Sequence, residues 1–132
     1  MRPEDLWGTW KLEKFEQLGP DGLPIVSHPN SRGILIYTSE GSMSVSMSRE
    51  IQSSDPDIQR NFVRDLYYAG RFEVQGELIL HHVEIAVQEA HRNQSLIRRA
   101  RLEDSGQKLV LEALSPEKRV LGSIYWLKQG TG

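Results

Sequence analysis

From Ser42 to Ser48 polar and apolar residues alternate without a break, with Met43, Val45 and Met47 on one side and serines on the other. Successive side chains of an extended chain face opposite ways, so this is a strand with one wet face and one dry face. Comparable runs of β-formers recur, each closed by a turn signal. Trp7 to Gln17 predicts a first strand, ended by Gly19-Pro20-Asp21-Gly22. Arg32 to Thr38 predicts the second, and Ser39-Glu40-Gly41 the tight turn into the third, Ser42 to Ser48. The period then changes. Asp55-Pro56 is a helix start, with Ile58, Phe62, Val63 and Leu66 at helical spacing and Ala69-Gly70 as the stop. Further strands are predicted over Arg71 to Val74, Glu77 to Val87, Gln94 to Glu103, Lys108 to Ala113 and Val120 to Lys128.

Eight strands joined mostly by hairpin-length connections favour an antiparallel meander over a parallel βαβ sheet. The expected fold is an all-β, eight-stranded antiparallel barrel, one domain over residues 1–132, with one short helix between strands three and four. A closed barrel of that size has an interior that side chains fill or that holds one small ligand.

Particular residues give this pattern a family likeness. Gly8-Thr9-Trp10 resembles the Gly-x-Trp signature of lipocalins and their calycin relatives. Leu6 to Leu12, Gly33-Ile34-Leu35-Ile36-Tyr37-Thr38, Gly41-Ser42-Met43-Ser44, Tyr68-Ala69-Gly70-Arg71-Phe72, His81-His82-Val83-Glu84, Arg98 before Leu102, and Tyr125-Trp126-Leu127-Lys128 follow in the same order. Together they resemble the bacterial and fungal lipocalin-like domain family over nearly the whole chain. The resemblance implies an eight-stranded barrel with a ligand cavity but no single function, since some members resemble isomerases or cyclases of natural-product pathways. It also implies that Trp10 closes one barrel end with a basic residue, here Lys128, stacked across it. One departure is Ala100, where the family often has an aromatic residue two positions after Arg98. The fatty-acid-binding type of barrel fits less well, because its helix pair lies between the first two strands.

Composition narrows the function classes. A formal net charge of −2 on 132 residues does not suit a general nucleic-acid or anionic-membrane binder. There is no cysteine, which excludes disulfides and thiolate chemistry. No apolar segment follows Met1-Arg2-Pro3-Glu4-Asp5 as in a secretion signal, and no run of about 18 apolar residues suggests membrane insertion. A cytoplasmic protein is expected, and Asn93-Gln94-Ser95 is then a chance sequon. The oligomeric state is not legible, because a closed barrel has no edge that demands a partner.

Candidate chemistry lies on the predicted inner faces. Alternation places Ile79, His81, Val83, Ile85 and Val87 together, so His81 is a desolvated titratable group among aliphatic residues. Arg98 shares a face with Leu96, Ala100 and Leu102. An interior guanidinium needs an anion, which is either a ligand carboxylate, enolate or phenolate or a barrel carboxylate such as Glu73 or Glu84. Tyr68 shares parity with Phe72, while Tyr37 lies opposite Ile34 and Ile36 and its direction is ambiguous. Met43, Val45, Met47, Phe72 and Val83 make an adaptable apolar wall. No His-x-x-x-His pair, nucleophile elbow or phosphate-cradling loop occurs, so no metal and no cofactor are expected. Two functions fit these residues: binding of a small apolar or amphipathic molecule, or a cofactor-independent isomerase or cyclase with His81 as acid or base and Arg98 as its electrophilic partner.

Overall fold

The residues described in the computed structural model are 1–18, 24–26, 31–48, 65–114 and 120–130. Their β-formers pair into one antiparallel sheet: β1 (Gly8–Leu18), β2 (Pro24–Val26), β3 (Arg32–Tyr37), β4 (Ser42–Ser48), β5 (Asp65–Gln75), β6 (Leu78–Ala86), β7 (Ser95–Glu103), β8 (Lys108–Leu114) and β9 (Val120–Lys128). The strand order follows the chain from β3 to β9, and β1 pairs with both β3 and β9. That double pairing closes a ring of eight strands and leaves no free edge along it. β2, which the sequence pattern did not reveal, adds only three residues beside the far end of β1.

The alternation in β4 is realised as predicted, with Met43, Val45 and Met47 buried and paired to Gly70, Tyr68 and Leu66 of β5. The predicted helix is not realised over its last residues. β5 begins at Asp65, so Leu66 to Gly70 is strand, while the helix start at Asp55-Pro56 lies outside the described residues. In β5 the cross-strand pairing of Val45 with Tyr68 and of Met47 with Leu66 outweighs the helical spacing of a few apolar residues.

One barrel end is plugged by the N-terminus. A 3-10 turn at Pro3–Asp5 turns Leu6 under the barrel, where it is fully buried. The Trp10 indole Nε1 donates to the Leu6 carbonyl oxygen at 2.8 Å. Lys128, paired with Trp10 across β1 and β9, holds its ammonium 5.5 Å from the indole ring centre. Cation and plug therefore sit as the resemblance implied. At the opposite end Arg32, Gly33, Ile34, Ser46, Met47, Ser48 and Leu66 line an open groove of about 350 Å³.

The predicted inner face of β6 holds only in its first half. Ile79, His81 and Val83 are buried, but Ile85 is 57% exposed. A β-bulge causes this: β5 pairs Ala69 with Ile85 and then Gly70 with Val83, so Glu84 is an extra residue on β6. One extra residue reverses every later side chain. Ile85 therefore faces out and Ala86 packs against the core, and Val87, the last residue of the predicted inner face, is 62% exposed.

Candidate functional site

His81 lies inside the barrel between two phenols. β6 brings the imidazole to the interior, 1% exposed, where its neighbours come from β3 and β5. Nε2 is 2.7 Å from the Tyr37 hydroxyl, and Nδ1 is 2.7 Å from the Tyr68 hydroxyl. Both tyrosines are buried. The direction of Tyr37 follows from β3, where Leu35 and Tyr37 point inward and Ile34 and Ile36 are the exposed pair. Phe72, in register with His81, packs against Tyr37 with ring centres 4.6 Å apart.

The protons of this chain can be counted. A neutral imidazole has one N–H donor and one acceptor nitrogen, so it donates to one phenol and accepts from the other. The phenol that receives the N–H keeps its own O–H hydrogen. Among the described residues no second acceptor meets either hydroxyl. One phenolic hydrogen thus remains available to a further group.

Arg98 of β7 is half-buried on the same interior side and acts on all three groups by its charge. Burial pushes the His81 pKa well below the ordinary histidine value, and the Arg98 charge lowers it further. His81 is therefore neutral at neutral pH. Burial raises both tyrosines above the usual phenol value, well above for Tyr37, where the neighbouring Tyr68 adds to the rise. Arg98 opposes both rises through its charge, and for Tyr68 also through a hydrogen bond. Among the described residues no carboxylate lies within ion-pair distance of Arg98, which also donates to the Ile97 carbonyl oxygen at 3.2 Å. Glu73 instead points out and accepts from His82 at 2.6 Å, and Glu84 is exposed. Arg99 and Arg101 form the outer stripe, paired with Glu112 and Glu103.

Met43, Val45, Met47, Phe72 and Val83 are all buried on the inner face, with Ala100 among them. Three further residues, one beside the site and two on other walls of the barrel, were not singled out as site candidates from the sequence. The His91 ring meets Tyr68 edge-on at 5.8 Å, from a 3-10 turn (Glu89–His91) in the connection between β6 and β7. Trp126 is 1% exposed, and among the described residues its indole nitrogen has no hydrogen-bond partner. Gly33 borders that indole, because a Cβ there would stand 3.2 Å from Trp126 Cη2. The Tyr-Trp-Leu-Lys order shows Trp126, but an unpartnered N–H has no sequence signature. Among the described residues no three His, Cys, Asp or Glu side chains converge on a metal position, and no helix is long and apolar enough to cross a membrane.

A ring of eight antiparallel strands, with Trp10 and Lys128 stacked at one end and His81 bonded to two tyrosines inside, is a small closed antiparallel barrel. The chain belongs to the lipocalin-like domain family, whose model matches residues 7–128. No curated protein matches the chain.

Proposed function

We propose that the barrel binds a small, largely apolar molecule carrying a carboxylate, enolate or phenolate, with that group set against Arg98 and the spare phenolic hydrogen of the Tyr37–His81–Tyr68 chain. The supporting observation is a donor set that, among the described residues, has no carboxylate on the half-buried guanidinium and no acceptor for the spare phenolic hydrogen. Interior donors of this kind are complemented by an acceptor that is preferably anionic. The apolar wall of Met43, Val45, Met47, Phe72 and Val83 suits the rest of such a ligand. Decanoate is a direct probe. Calorimetric titration is expected to show binding that Arg98→Gln weakens about tenfold or more, the scale of a hydrogen bond to a charged group. Arg99→Gln, on the outer face, leaves it unchanged. Equal affinity in the Arg98 variant overturns the assignment.

A second reading, a cofactor-independent isomerase or cyclase, is favoured by the linked phenols. An imidazole bonded to two hydroxyls can accept a proton on one nitrogen while releasing one from the other. Both nitrogens of His81 are occupied, so on this reading a tyrosine exchanges the proton with substrate, His81 relays it, and Arg98 steadies the enolate oxygen. An enolisable ketone incubated with the protein in heavy water would gain deuterium at its α-carbon, at a rate that His81→Gln lowers about a hundredfold. Exchange no faster than in buffer sinks this reading while leaving the binding reading intact.

A further inference from the structure

We propose that Trp126 is a second anchoring point of the barrel, where its indole N–H donates a hydrogen bond to a neutral oxygen of the bound molecule, such as a carbonyl or ether oxygen. This rests on the reading that the interior binds a ligand, and it adds a second polar feature to that ligand.

Two tryptophans are fully enclosed by this fold, and their nitrogens are treated differently. Trp10 Nε1 donates to the Leu6 carbonyl at 2.8 Å, as buried indoles normally do. Trp126 Nε1 is as deeply buried and has no acceptor among the described residues. Its cross-strand neighbours are Leu12 on β1 and Leu109 on β8, neither of which carries a polar side-chain atom. Native interiors rarely leave a buried donor unmatched, because desolvating it costs free energy that nothing returns.

The surroundings fit a ligand. The place that a Cβ would take at Gly33 is crowded by Leu12 Cβ at 3.0 Å, Met47 Cγ at 3.1 Å and Trp126 Cη2 at 3.2 Å. The far edge of the indole therefore adjoins Gly33 and Met47, and both residues line the open groove at the unplugged end. An apolar molecule entering there reaches Gly33 and Met47, the residues between the groove and the indole's Cη2 edge. The acceptor class follows from charge. Lys128 is stacked at Trp10, at the plugged end, and a single neutral N–H among aliphatic groups suits an uncharged oxygen better than a carboxylate. Around the ring of eight, β9 lies three strands from β6 in one direction and five in the other. Trp126 and His81 thus project from well-separated walls. The ligand class is an apolar body with two separated oxygen functions, one anionic and one neutral.

The test uses indole N–H resonances of protein labelled with ¹⁵N-tryptophan. Trp126 is assigned by the peak lost in Trp126→Phe, and the hydrogen-bonded Trp10 and the exposed Trp7 serve as internal references. The probes are 2-octanone and 2-methyl-1-octene, in which a methylene replaces the carbonyl oxygen. The Trp126 proton is expected to move downfield saturably with the ketone and not with the alkene. The ketone should also bind about fivefold tighter than the alkene, a preference that disappears in Trp126→Phe. If the methyl signals of Val45 and Val83 respond to the ketone while the Trp126 proton stays still, or moves equally with both probes, this assignment is wrong and interior binding stands. If neither probe disturbs those methyls, interior binding itself fails, and this inference fails with it.

Discussion

Gly70→Ala is expected to destabilise the barrel by about 3 kcal/mol, the upper range for overpacking, and so to lower Tm by about 10 °C for a chain of this size. Gly70 stands at the β5–β6 bulge, and a Cβ there would overlap the His82 carbonyl oxygen and lie 2.9 Å from the Glu84 nitrogen. Both are backbone atoms held in the sheet, so neither can rotate away. Relief comes only by separating β5 from β6, the strands that carry Tyr68 and His81. The Tyr68–His81 hydrogen bond should therefore weaken together with the fold. Gly33→Ala is the comparison. Two of the three atoms crowding that position, Met47 Cγ and Trp126 Cη2, belong to the outer parts of side chains and can shift by a few tenths of an ångström. Its expected cost is about 1 kcal/mol. Thermal unfolding of the two variants side by side decides the matter: equal midpoints would mean that the bulge is not where the register puts it.

How much of this was legible in the sequence depends on how local each cause is. β4 could be read because its alternation needs only its own residues, and the plug could be read because Gly8-Thr9-Trp10 and Lys128 resemble a known signature. The outward turn of Ile85 and Val87 could not. It depends on a bulge formed between two strands, and nothing in the Glu77 to Val87 run marks the extra residue. The helix ending at Gly70 failed for a similar reason, since Leu66 fits a helical stripe and an inward strand position equally well, and pairing with Met47 decides between them. At the site, parity put His81 and Arg98 on the inner face, and both lie there. The direction of Tyr37 was settled only by pairing with β1 and β4, in which Tyr37 shares the inner face with Leu35. That His81 joins the two tyrosines is a fact of three strands at once. No spacing encodes it.

The deepest test of that junction is the dependence of stability on pH. In the folded protein His81 is held neutral, with its pKa well below 6.5 because of burial and then the Arg98 charge. The unfolded chain takes up a proton there near pH 6.5, so below that pH the unfolded state binds more protons and stability falls as pH falls. The His81 contribution to this slope approaches about 1.4 kcal/mol per pH unit, one proton's worth, and vanishes above about pH 7. The tyrosines act in the opposite sense. Their folded pKa values lie above 10, so the unfolded chain loses those protons first and stability declines as pH rises beyond about 10. His81→Phe should remove the His81 part of the acid limb. It should also lower the plateau by about 4 kcal/mol, because two buried hydroxyls lose a hydrogen-bond partner at once. His81→Gln makes the separation clean, since its amide can still donate to one phenol and accept from the other but does not titrate. Urea unfolding midpoints from pH 4.5 to 8 should then show the Gln variant less stable on the plateau and flatter by up to one proton below pH 6.5. The two curves are compared as a difference, which reads what the titrating imidazole at position 81 adds. Parallel curves over that range would mean that the imidazole is not held neutral between the two tyrosines, and the proton count on which the ligand's acceptor group rests would be withdrawn.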